Sequence, residues 1–136
     1  MRKPDIGAIA TVIILVFSAG AVAAQGMSKA EYQARKDRIA AEYKSAKANC
    51  DSLAGNAKNV CLAEARGKER IEKAELTADY KPSQTAHYHL TIAKANADYA
   101  VAREKCNDRA GKDKKVCLNE AKVEQSRAKA EAMRGR

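Results

Sequence analysis

Four cysteines are the residues of this chain best suited to chemistry, and they form two equally spaced pairs. Cys50 and Cys61 flank Gly55-Asn56, and Cys106 and Cys117 flank Gly111, with ten residues between the members of each pair. Structural zinc sites usually bring cysteines together in pairs about two to four residues apart, so this spacing disfavours a thiolate cluster. No Cys-x-x-Cys pair is present to hold a depressed thiol pKa for exchange chemistry. Disulfide bonds are the main reading. A thiol-dependent metal-binding or redox protein using the same four cysteines is the alternative.

The other chemistry-bearing residues form no constellation. His87 and His89 are the only histidines. On a helix, residues two apart point away from each other and make a poor ligand pair. Glu31 and Gln33 stand at the corresponding positions of the first half, and the two histidines read as a solvated pair at a helix start. Nucleophile elbow, phosphate loop and metalloprotease helix are all missing from the sequence. Carboxylates alternate with cations, as in Glu64-Ala65-Arg66 and Lys68-Glu69-Arg70, the pattern of a solvent-exposed, charge-paired helix. No residue receives a catalytic or metal-binding role, no cofactor is implied, and the chain reads as non-enzymatic.

The elements that must position the cysteines begin after an export signal. Arg2 and Lys3 precede an apolar stretch, Ile6 to Phe17, and a small-residue run, Ser18 to Ala24. A basic start, an apolar core and an Ala-x-Ala-like end describe a cleavable signal peptide, cut after Ala23 or Ala24. A membrane anchor is expected only through this segment if it stays uncleaved. The division is residues 1–24 as a signal helix, 25–81 as a first unit and 82–136 as a second. Beyond the signal, the large aliphatics and Met number only 14, and Trp is absent. Small exported chains with thin cores usually need covalent staples.

At an offset of 56 the chain matches itself. Tyr32 falls on Tyr88, Tyr43 on Tyr99, Cys50 on Cys106, Gly55 on Gly111, Lys58 on Lys114 and Cys61 on Cys117, and 17 of 53 positions agree without a gap. Such fixed-period similarity sets the architecture. Ala, Lys, Glu, Arg and Gln dominate each unit and favour helix. Ser28-Lys29-Ala30-Glu31 has the form of a capping box opening a helix at Lys29. Tyr32, Ile39, Tyr43, Ala46 and Cys50 recur at helical spacing, as do Tyr88, Ala95, Tyr99, Ala102 and Cys106. Gly55 and Gly111 are expected to stop helices as left-handed C-caps. Asn56 or Asn59, and Asp113, are candidate N-caps for the helices that follow. Lys81-Pro82-Ser83 separates the units, since the residue before a proline is pushed out of helix.

The expected fold is all-α, a tandem duplication of a disulfide-closed helical hairpin with about four helices. In that arrangement each unit closes its own bridge. If instead each helix runs through its glycine, an offset of eleven residues keeps both cysteines on one face. Two long antiparallel helices folded at Pro82 would then be bridged as Cys50–Cys117 and Cys61–Cys106.

Charge points to a class of partner. Loss of the signal leaves 24 Lys and Arg against 16 Asp and Glu, a net charge near +8. Such a balance draws a protein to anionic surfaces. Export argues against nucleic acid and leaves phospholipid head groups, lipopolysaccharide phosphates and acidic cell-wall groups, or another envelope protein. Lys58, Lys112, Lys114 and Lys115 at the loop tips are the candidate polyanion contacts. The sequence leaves the oligomeric state open.

The segment Cys50-Asp51-Ser52-Leu53-Ala54-Gly55-Asn56-Ala57-Lys58-Asn59-Val60-Cys61, with Tyr43 and Glu64-Ala65 beside it, resembles small Ala/Lys-rich periplasmic proteins of Gram-negative bacteria, often labelled cell envelope biogenesis protein TolA. The resemblance covers nearly the whole mature chain and implies a periplasmic, envelope-associated protein. The second loop departs from it, with Arg109 in place of Leu53 and Lys112 in place of Asn56. The expected function is non-enzymatic binding in envelope maintenance or stress tolerance, through basic helix faces.

Overall fold

A computed structural model of the chain describes residues 26–135, so the signal segment expected at 1–24 lies outside the described residues. Helix is the only regular structure among them: α1 Lys29–Asn49, α2 Gly55–Tyr80, α3 Gln84–Cys106 and α4 Gly111–Arg134. The capping box at the start of α1 forms as expected. Ser28 N donates to Glu31 Oε2 at 2.8 Å, and Glu31 N donates to Ser28 Oγ at 3.2 Å. The bond from the Ser28 backbone, with help from the Ser28 hydroxyl, holds the Glu31 carboxyl below its ordinary value.

The glycines act differently from the expectation. The chain leaves α1 through a short 3₁₀ turn, Cys50–Ser52, and is extended at Leu53 and Ala54 before α2 begins. Gly55 (φ +59°) and Gly111 (φ +53°) take the left-handed conformation as the first residues of the next helix, not as stops for the previous one. A β-carbon in that backbone is disfavoured, so glycine is needed for the reversal itself. Asn56, Asn59 and Asp113 are not N-caps either. Those positions fall to Ala54 and Ala110, which have no side-chain cap. At the central break Lys81 is non-helical, and the Ser83 hydroxyl accepts from Ala86 N at 3.0 Å to cap α3.

These breaks decide between the two architectures. Cys50 bridges to Cys61 and Cys106 to Cys117, with Cα separations of 5.7 and 5.6 Å. The pair of long helices with crossed bridges is therefore corrected: the backbone turns at each loop and carries α2 and α4 back along their partners. Each helix packs only on its neighbours in sequence, α1 on α2, α2 on α3 and α3 on α4, with α2 and α3 the most extensive pair. Among the described residues, non-consecutive helices do not pack together. The result is a single antiparallel layer with both bridged tips at one end and the Pro82 turn at the other.

The core is thin. Ile39, Leu76 and five alanines are its buried apolar residues, joined by Cys50 and Cys106. The two expected stripes face their hairpin partners, with Ile39, Cys50, Ala95 and Cys106 buried and the four tyrosines half-buried. Tyr32 and Tyr80 close the open end of the first hairpin with ring centroids 4.5 Å apart. Where α2 crosses α3, Gly67 is buried and a β-carbon there would lie 2.9 Å from Ala97 Cβ. Its counterpart one repeat later, Val123, is 58% exposed on the free side of α4.

Three outcomes are expected. Gly67→Val should destabilise by about 1–3 kcal/mol through overpacking against Ala97, whereas Val123→Gly should cost only the roughly 0.5 kcal/mol by which the helix propensity of glycine falls below that of valine; urea unfolding followed by circular dichroism measures both. Replacing both cysteines of either bridge by Ser should cost about 3 kcal/mol for a loop of this size, with an unreduced peptide map confirming the pairing. Because the folded Glu31 carboxyl titrates below its unfolded value, its contribution is complete above the unfolded value and is lost as pH falls through the folded one. Acidification should therefore lower amide-exchange protection in the first turn of α1, an effect missing in Glu31→Gln.

Candidate anion-binding surfaces

The cysteines hold the loop tips together but offer no thiol chemistry in this state. Cys50 and Cys106 are buried, Cys61 and Cys117 half-buried, and no described cysteine is free. A thiol-dependent site would first require reduction of a bridge. His87 and His89 are both exposed at the start of α3, and the His89 ring meets Tyr88 edge-on at 5.5 Å.

Lys58, Lys112, Lys114 and Lys115 all lie at the bridged end, yet the two tips differ electrostatically. Lys58 Nζ stands 3.1 Å from Asp51 Oδ1 across the first loop. One repeat on, Asn107 replaces Asp51, so Lys114 lacks that partner. Lys112, Lys114 and Lys115 occupy the first turns of α4 and make no ion pair among the described residues. The helix N-terminus adds its own partial positive charge there. Asn56 Nδ2 donates to the Glu104 carbonyl at 2.7 Å and so ties the first tip to the end of α3. Asn56, a candidate cap by sequence, is instead a tether between the hairpins.

Charge is also divided between the two broad faces of the layer. On one face four ion pairs cross from helix to helix: Arg35–Asp79 at 2.8 Å, Lys68–Glu42 at 3.2 Å, Lys94–Glu75 at 3.4 Å and Lys105–Glu64 at 3.6 Å. Grooves between α1 and α2 and between α2 and α3 open on this side and share Glu72. Lys68 is held protonated above its usual range, first by its hydrogen bond to Glu42 and then by the charge of Glu72.

The opposite face is built from different side chains. A groove of about 440 Å³ between α2 and α3 is lined there by Arg66, Arg70 and Arg103, over a floor including Leu62, Ala63 and Ala100. Arg66 and Arg70 are exposed and make no ion pair among the described residues, and Arg103 has only its neighbour Glu104, at 3.2 Å. The pattern of Glu64-Ala65-Arg66 and Lys68-Glu69-Arg70 predicts a mutually paired helix surface. In the structure Glu64 and Lys68 turn to one face while Arg66 and Arg70 turn to the other. The available signal was the i, i+4 spacing of the two arginines, one turn apart on a common stripe.

Compared with known proteins, the chain matches no family description, no curated protein and no solved structure.

Proposed function

We propose that this is an exported, non-enzymatic helical protein of the periplasm that binds anionic components of the cell envelope. The observation that carries this reading is the excess of cations without intramolecular partners, with Lys112, Lys114 and Lys115 gathered at one tip. Two closed disulfides support an oxidising compartment. The charge-paired helix surface and the disulfide-held loops form a rigid carrier for positive charge rather than a reaction centre. Binding of this kind is long-range and screened by salt, with a Debye length of about 10 Å at 0.1 M.

The purified mature protein is expected to associate with anionic phospholipid vesicles, lipopolysaccharide or peptidoglycan at low ionic strength and to be released as salt rises. Co-sedimentation across a salt series measures it. Absence of salt-sensitive association with all three would overturn the reading.

A further inference from the structure

Resting on that reading, we propose that the face carrying Arg66, Arg70 and Arg103 is the surface by which the protein lies on an anionic phospholipid bilayer, its guanidiniums engaging head-group phosphates. The first support is segregation of charge. All four ion pairs that join one α-helix to another lie on the other face, where Arg35, Lys68, Lys94 and Lys105 each face a carboxylate of a neighbouring helix. In the Arg66/Arg70/Arg103 groove the single carboxylate is Glu104.

The second support is the repeat. Arg66 corresponds to Lys122 and Arg103 to Lys47, so duplication places a cation at both positions in both hairpins. Lys122 donates to Gln125 Oε1 at 3.2 Å, and Gln125 in turn bonds Asn96 Oδ1 at 2.9 Å. Asn96, Ala100 and Arg103 follow one another at spacings of four and three along α3, which brings Lys122 to the same side as the groove. Four cations from three helices, Arg66, Arg70, Arg103 and Lys122, thus share a face.

The third support is shape. A layer in which helices touch only their sequence neighbours has two broad faces. With 21 to 26 residues per helix, each runs about 32–39 Å at roughly 1.5 Å per residue. Cations spread over such a face, with exposed arginines rather than an enclosed pocket, suit a planar array of phosphates better than one small anion. Arg is apt because its planar fork pairs with phosphate oxygens through two parallel hydrogen bonds. The apolar groove floor lies where the upper parts of lipid chains would meet it.

The test is co-sedimentation with vesicles of phosphatidylcholine containing phosphatidylglycerol, against vesicles of phosphatidylcholine alone. R66Q/R70Q/R103Q and K112Q/K114Q/K115Q remove the same charge from the face and from the tip. At about 1 kcal/mol per basic residue near an anionic surface, the face variant should lose on the order of a hundredfold in binding. The tip variant should lose far less. R66K/R70K/R103K should bind more tightly than the Gln variant, and circular dichroism with intact disulfides shows that all three remain folded. Equal losses, or a larger loss at the tip, would overturn the assignment of the face and leave the broader binding role standing. Stronger displacement from the vesicles by inorganic phosphate than by chloride of equal ionic strength would identify a small-anion site instead. If the protein binds only lipopolysaccharide or peptidoglycan, the bilayer assignment fails alone; if it binds none of these, both readings fail.

Discussion

Helices come close only where the side chains at their crossing are small, and the layer depends on one such crossing. Gly67 of α2 meets Ala97 of α3 so closely that even a methyl group would press on the alanine. This contact joins the two hairpins, which otherwise share no covalent link beyond the Lys81-Pro82-Ser83 connection. It also sets the grooves on either side of the α2/α3 seam, because Gly67 and Ala97 contribute to the walls of both. Interaxial distance follows the side chains at the contact. The same pair therefore governs the union of the repeats and the spacing of Arg66 and Arg70 from Arg103.

Duplication supplied two similar hairpins, and packing then gave equivalent positions opposite environments. The second helix of the first unit is interior to the layer and buries Gly67, Leu76 and Ala78. The second helix of the other unit is at the edge, where Val123, Ala132 and Arg134 stand in their places. Leu76 is almost fully buried, and an exposed large side chain at position 123 does not allow the close crossing made at position 67. The end of α4 is thereby unlike the seam it would have to imitate to accept another hairpin. With so little aliphatic surface enclosed, the two bridges limit the unfolded chain where a larger core would otherwise be needed.

Function, in the reading proposed, follows from how this thin layer sorts charge. Interhelical ion pairs at exposed sites each contribute little to stability. Their location still has a consequence, because they pair Arg35, Lys68, Lys94 and Lys105 on one face and leave Arg66 and Arg70 on the other without an acidic partner. At the tips the same logic operates over a few residues. Asp51 answers Lys58 in the first loop, and Asn107 fails to answer Lys114 in the second.

Much of the fold is legible in the sequence. Helical composition, the stripe from Tyr32 to Cys50, the capping box at Ser28 and the repeat at an offset of 56 each follow local rules of period and spacing. They sufficed for an all-α chain built as two copies of one unit. Cysteine spacing alone left two pairings open, because eleven residues suit both a reversed loop and a continuous helix. Only the backbone at Leu53–Gly55 and its repeat, extended and then left-handed, settled it. Local rules also misassigned Asn56, which found a carbonyl on α3 rather than its own helix. The tip lysines were visible as a run of like charge, but the arginine face was not. Neighbouring charges along a helix look paired in sequence, and only the packing of α2 on α3 decides which face each one joins. Composition and self-similarity thus determined the helical class and the two-unit repeat, while the loop reversals and the partition of charge across the layer belonged to the tertiary structure, because they depend on contacts between residues distant in the chain.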